Sequence, residues 1–311
     1  MSHEGSNKAI IAALVANVCI AVLKFLAYFL TLSSSMLAEG IHSLADSGNQ
    51  LLLLVGGKKA KRQASPEHPF GYGRERYVYA FIVSIVLFSV GGLFALYEAY
   101  QKVQHPHGIE PQWAWVPVAV LLGAIALESR SFYVALQESN AARGKRNLIQ
   151  FIRTSKAPEL PVVLLEDAAA LVGLVFALFG VSMTIVTGNG LWDAAGTALI
   201  GLLLVCVAVI LALETKSLLL GESATVEDVR AVEAALVGPG VSSIIHLKTL
   251  HLGPEELLVA AKIAVSECET GAQIAAAINA AELRVRAAVP IATVIYLEPD
   301  IYAEQAPAPK P

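Results

Sequence analysis

Apolar residues fall into long unbroken runs over the first two thirds of the chain, with the polar residues gathered between them. Six runs cover residues 10–32, 36–57, 77–100, 113–136, 160–186 and 191–213. Each reaches the ~20 residues that cross a bilayer core of roughly 30 Å as a helix. A soluble protein would need a polar shell around so many apolar helices, and the sequence lacks one. The pattern therefore predicts a polytopic α-helical membrane protein with six transmembrane helices. Their even number puts both termini on one side.

After residue 213 the pattern shortens. Residues 225–237 begin on a capping Thr225, carry Glu227 and Asp228 early, space their apolar positions as a helix does, and stop at Gly238-Pro239-Gly240. Residues 241–252 and 257–265 read as strands joined by a turn at Gly253-Pro254. Residues 270–288 form an alanine-rich helix, and 291–297 a third strand. The order αββαβ predicts a small α/β domain with helices over one face of a sheet. The expected organisation is a six-helix membrane domain over 1–216, an α/β domain over 217–300 and a disordered Pro/Ala tail over 301–311.

Composition agrees. Of 311 residues, 56% are hydrophobic and 15% charged, against about 25% charged in an average soluble domain. The net charge of −4, with no basic stripe interleaved with aromatics, excludes a nucleic-acid partner. Cys19, Cys206 and Cys268 are far apart and form no CxxC pair, so they read as small buried hydrophobes rather than as a disulfide or thiolate-zinc framework. The start, MSHEGSNK, lacks a basic signal region, so the first run is expected to remain as a span.

Lys and Arg are unevenly shared between the loops. Lys58, Lys59, Lys61, Arg62, Arg74 and Arg76 follow the second run, and Arg143, Lys145, Arg146, Arg153 and Lys156 follow the fourth. The opposite loops are short or poor in basic residues. The positive-inside rule makes the basic loops and both termini cytoplasmic, in a bacterial inner membrane. Trp113, Trp115 and Trp192 then fall at outer span ends, where amphipathic rings favour the interface.

Chemistry enters with the ionisable residues inside the runs, which are costly in a bilayer unless paired or facing a wet cavity. The second run contains EGIHSLADSGNQ, and its His42 and Asp46 lie one helical turn apart on one face. An imidazole and a carboxylate so placed can share one divalent ion, further ligands coming from elsewhere. The alternative is a His–Asp pair that only ties helices together. The fifth run contains LLEDAAA, where Glu166 and Asp167 point about 100° apart, so one of them is expected to face the cavity of His42 and Asp46. Asn17, Asn49 and Glu39 are each weighed as an extra oxygen against a plain polar contact. Lys24, Glu98, Glu128 and Arg130 are expected to snorkel from span ends or to carry no role.

HSLAD in the second run, the six runs, the Phe70-Gly71-Tyr72-Gly73 loop and the αββαβ tail together resemble the cation diffusion facilitator family of zinc and related metal exporters. The resemblance implies a ferredoxin- or metallochaperone-like tail, a homodimer, proton exchange and a four-ligand metal site. Two of those ligands come from an [HD]xxxD pair, matched by His42 and Asp46, and two from an HxxxD pair. Asp167 matches the second aspartate, but Val163 stands at the histidine position. The site is then either three-coordinate from protein with water as the fourth ligand, or completed by Glu166. The LLED sequence resembles the branch that includes an animal mitochondrial zinc carrier.

Two further sites of that family look degraded. His68 matches one loop histidine while Tyr72 stands at the other, and in the tail Glu298 is the main candidate left, His246 and His251 facing opposite ways along a strand. The expected metal ligands are thus His42, Asp46, Asp167 and Glu166, with no catalytic residue and no cofactor besides the transported ion. Expected partners are the divalent ion, protons, the lipid membrane and a second copy of the chain. Proton-coupled efflux of Zn²⁺ is the expected activity. The alternatives are Mn²⁺ or Fe²⁺ transport, since replacing an imidazole by a carboxylate hardens the site, or a non-transporting metal-responsive subunit. No HExxH motif or nucleophile elbow suggests an enzyme.

Overall fold

A computed structural model describes residues 3–106, 109, 111–266 and 268–301, with side chains described within these from Asn17 onward, Pro111 excepted. The Pro/Ala tail expected beyond residue 301 lies outside the described residues. The elements run α1 (His3–Thr31), α2 (Ser34–Ala60), α3 (Glu75–Val86), a π-helical segment (Leu87–Leu93), α4 (Phe94–Gln104), α5 (Trp115–Arg143), α6 (Leu148–Thr154), α7 (Glu159–Thr187), α8 (Leu191–Leu220), α9 (Val226–Leu236), β1 (Ser243–Gly253), β2 (Glu256–Val265), α10 (Gly271–Ala288) and β3 (Val294–Ile301). They divide into two compact units, residues 1–58 with 76–216, and residues 59–75 with 217–311.

The first unit holds the long helices. The continuous helix Glu75–Gln104, α5, α7 and α8 are each long and apolar enough to cross a membrane. In α1 the described apolar stretch is Asn17–Thr31. The polar side chains of α2, among them Glu39, His42, Asp46, Asn49 and Gln50, dilute its apolar character although it spans 27 residues. The helices outrun the apolar runs because polar residues at helix ends continue the backbone hydrogen bonding. The short α6, capped by the Asn147 side chain on the Gln150 N–H, is an addition to the expected elements.

Small residues let α7 and α8 approach closely. A Cβ on Gly180 would come within 2.8 Å of the Trp192 carbonyl oxygen, and one on Gly196 within 2.9 Å of the Phe176 carbonyl oxygen. This is how helices associate where lipid offers no hydrophobic contrast. Leu87, Leu121, Val162, Leu174, Ile200 and Leu204 are in the shared core, while Val175, Phe179, Leu202 and Leu213 cover the outer surface. Cys19 and Cys206 also lie on that outer surface, and Cys268 is exposed in the second unit; all three are free thiols, not the buried hydrophobes expected.

The second unit follows the expected order. β1 and β2 pair antiparallel, and β3 joins β2 in parallel, giving the sheet order β1-β2-β3. A parallel neighbour requires a crossover, which α10 supplies. Thr225 caps α9 by accepting from the Asp228 N–H, and Thr270 with Gln273 forms a full capping box on α10. Val232, Leu236, Leu257, Val259, Ile263, Ala281 and Val285 fill the space between helices and sheet. The third strand lies later than expected, at Val294–Ile301, and runs through Pro299. A sheet edge tolerates proline, which needs no ladder donor there. In the loop after α2, Gly73 lies against Leu252 and Gly253.

Candidate metal site

The site is built on one face of α2. His42 is buried and its Nδ1 lies 3.4 Å from Asp46 Oδ1, one turn on. That separation is an ion-pair distance without hydrogen-bond geometry. Both ring nitrogens of His42 and Asp46 Oδ1 are buried without a hydrogen-bond partner among the described residues. The same holds for Glu39 Oε1, Asn49 Oδ1 and Gln50 Oε1. These five residues follow one another along α2 at intervals of three, four, three and one, so they share one face. Buried polar atoms are almost always satisfied, and a row of five residues with unsatisfied ones marks a place built for something other than packing.

α7 faces this row in antiparallel sense. Asn49 Nδ2 donates to Glu166 Oε1 at 2.7 Å. Ten residues earlier on α2, Glu39 Oε1 lies against Gly173, where a Cβ would approach within 2.9 Å. Glu166 and Gly173 are seven residues apart and share a face of α7. Glu166 is therefore the member of the Glu166–Asp167 pair turned toward α2. Asp167 turns to α5 instead and accepts from the Ser131 hydroxyl at 2.9 Å. Glu166, Glu128 and Asp167 all act electrostatically on Asp46.

Among the described residues, no three His, Cys, Asp or Glu side chains stand together in metal-holding geometry. His42 and Asp46 are adjacent, while Glu166 is engaged by Asn49 and Asp167 by Ser131. The arrangement can offer an imidazole and up to three carboxylates to a cation only if the side chains of α7 swing from those partners. Val163 is half-buried, one turn from Asp167 on α7.

Two charged residues expected at span ends are central. Lys24 is 1% exposed, and its ammonium donates to Glu39 Oε2 at 2.8 Å and to Ser43 Oγ at 2.7 Å. Glu128 is also buried, because α5 continues to Arg143 and places Glu128 near its midpoint. Neither snorkels. A lone ionisable residue in an apolar run was the available signal, and it carries that weight at any position the helix places in mid-bilayer. Arg130, two residues further along α5, is exposed. The Asn49 side chain makes a helix-to-helix hydrogen bond, one of the two roles weighed for it.

The turn before α2 is fastened to α8. Asp193 accepts from the Ser33 hydroxyl at 2.9 Å and from the Ser34 and Ser35 N–H groups at 2.8 and 3.3 Å. It thus caps α2 from another helix. Lys102 of α4 lies 3.7 Å from the same carboxylate and donates to the Leu32 carbonyl at 2.9 Å.

The accessory positions are engaged otherwise. His68 packs against the Tyr72 ring, with centroids 4.6 Å apart. Glu298 and Asp300 lie 3.2 and 2.8 Å from Lys262 across the parallel β2–β3 pair. The Lys262 hydrogen bond holds the Asp300 carboxyl below its usual range. His251 is buried with Nδ1 3.2 Å from the Gly253 carbonyl oxygen, while His246 is exposed.

The cation efflux transmembrane domain matches residues 10–220. The human proton-coupled zinc antiporter SLC30A9, mitochondrial, is 33% identical over 254 residues, which is 80% of this chain and 44% of that protein. Metal tolerance protein C4 of Arabidopsis thaliana is 28% identical over 269 residues, 85% of this chain and 58% of that one. The magnetosome protein MamM of Magnetospirillum gryphiswaldense is 25% identical over 229 residues, 72% of this chain and 66% of that one. The chain spans less than half the length of the human relative. With a family domain covering most of its length and several helices able to cross a bilayer, the chain is an integral multi-pass membrane protein and belongs to the cation efflux family.

Proposed function

We propose that the protein exchanges a divalent transition-metal cation, Zn²⁺ in the first place, for protons across its membrane. His42 and Asp46 form the fixed half of the site, and Asp167 and Glu166 the half recruited from α7. The observation that carries this reading is the row of buried, unpartnered polar atoms on α2 around His42 and Asp46. A cation satisfies the acceptors among such atoms, and a structural His–Asp tie would have paired His42 with Asp46 Oδ1. The relationship to a protein named as a proton-coupled zinc antiporter supports both the ion and the coupling.

Coupling follows from acid–base chemistry. Metal binding requires a neutral imidazole and ionised carboxylates, so an arriving ion displaces protons, and its departure lets them return. The Asn49–Glu166 and Ser131–Asp167 hydrogen bonds hold the α7 carboxylates while no ion claims them. Zn²⁺ suits a site that keeps an imidazole. Mn²⁺ or Fe²⁺ is the second reading, favoured by three carboxylates around one histidine and by the relationship to a magnetosome protein. We place the basic loops and both termini on the cytoplasmic side of a bacterial inner membrane, with efflux as the direction and a homodimer as the working unit.

The test is reconstitution of the purified chain in vesicles loaded with a pH-sensitive dye. A Zn²⁺ gradient drives opposite proton flux if the reading is right. A non-transporting metal-responsive subunit gives none.

A further inference from the structure

The Lys24–Glu39 pair lies in α1 and α2, one turn from His42 and on the side away from Asp46. Both side chains are at most 1% exposed. A buried ion pair is not a cheap way to join two helices, since apolar residues of similar volume usually do it as well or better. Its placement is informative. Glu39 is the next ligand-bearing side chain that an ion would meet on leaving His42 along the α2 face toward Ser34. One of its oxygens, Oε2, is taken by the Lys24 ammonium, while Oε1 is buried, unpartnered among the described residues and turned toward Gly173 of α7. Any side chain at Gly173 would press on that oxygen, so the backbone of α7 leaves it room.

The start of α2 lies just beyond Glu39. Ser33, Ser34, Ser35, Asp193 and Thr197 are all buried there, and the Asp193 cap closes the start of α2 onto α8. Lys24 acts electrostatically on His42, Asp46 and Glu128 alike. Its ammonium reaches this row at Glu39. An ammonium and a divalent ion cannot share one buried carboxylate without strong repulsion.

We propose that Lys24 and the transported cation compete for the Glu39 carboxylate, so that this ion pair is the closing element of the path beyond His42. With the path at rest, Lys24 occupies Glu39. An ion moving on from His42 and Asp46 takes Glu39 over as the ammonium withdraws, and Lys24 returns once the ion has gone. Lys24 is thus a positioning residue, and Glu39 a transient ligand. The inference rests on the transport reading above.

The test uses the full chain in vesicles, with Zn²⁺ flux and equilibrium Zn²⁺ binding measured on the same preparations. The double variant Lys24→Met/Glu39→Leu replaces the pair by apolar residues that a merely structural role tolerates. We expect its Zn²⁺ affinity to stay within about threefold while flux falls by about tenfold or more. Flux equal to that of the unmodified chain overturns the proposal and leaves the pair as a tie between helices. Loss of binding and flux together also overturns it, by making the pair part of the site or of the fold. Lys24→Met alone leaves Glu39 without its competitor, so turnover and KM are expected to fall together; an unchanged KM and kcat counts against the competition. Absence of flux in the unmodified chain defeats the transport reading itself, and this inference with it.

Discussion

Asn49 of α2 donates its side-chain amide to Glu166 of α7 at 2.7 Å, across 117 positions of sequence. That contact sets the facing of the two helices. It turns Glu166 toward the row that carries His42 and Asp46, and leaves Asp167 to Ser131 of α5. The position at which the family pattern has a histidine, Val163, is bypassed by a carboxylate that reaches α2 from the next turn. In the proposed transport reading, Asn49 holds the Glu166 carboxylate until a cation claims it.

Removing the fixed half of the site tests the reading most directly. His42→Ala and Asp46→Ala are each expected to reduce Zn²⁺ affinity and flux by at least the roughly 10–100-fold that losing a mere outer-shell partner costs. Elution of the detergent-solubilised variants as a single folded species controls for misfolding. Flux that persists in both variants would remove His42 and Asp46 from the site.

Glu166→Gln separates ligand from spacer. The amide keeps a hydrogen bond to Asn49 but gives up the charge that attracts a metal. We expect Zn²⁺ affinity to fall by about tenfold or more, measured by equilibrium dialysis. If affinity is unchanged, Glu166 serves only to hold α2 to α7.

Restoring an imidazole tests metal choice. Val163→His adds a softer ligand beside Asp167, so the Zn²⁺ over Mn²⁺ affinity ratio is expected to rise by about tenfold. Competition binding on the purified variant reads the ratio. A ratio that falls or stays level argues that position 163 does not reach the ion.

Asp193→Ala tests the cap on α2. The substitution removes acceptors from two backbone N–H groups and the counter-charge of buried Lys102. Breaking one side of a buried pair costs about 3–5 kcal/mol, so a clear drop in apparent melting temperature in detergent is expected. Lys102→Met on the same background is expected to recover part of it by removing the stranded charge. No change in either variant would mean the turn is held by other contacts.

Thr270→Ala tests the second unit by itself. It deletes the capping box of α10, whose loss costs about 1 kcal/mol. Earlier unfolding of the tail in hydrogen exchange, with the long helices unaffected, is the expected outcome. Uniform destabilisation of the whole chain would contradict it.

The sequence by itself determined what local periodicity and composition can carry. Long apolar runs marked the membrane helices, and Thr225, Thr270, Gly238-Pro239-Gly240 and Gly253-Pro254 punctuated the αββαβ tail, because caps and turns are chosen by neighbours a few residues away. The one-turn spacing of His42 and Asp46 on a common face is likewise a property of the helix alone. The tertiary structure decided which groups meet across helices. It turned Glu166 and not Asp167 toward α2, paired Lys24 with Glu39, brought Glu128 to mid-helix and used Asp193 to cap a helix 159 positions away. Such pairings depend on how far each helix extends and how it is rotated against its neighbours. Those quantities are fixed by packing, through close approaches such as Gly180 to Gly196 and Glu39 to Gly173, and no local periodicity or cap signal links the two partners.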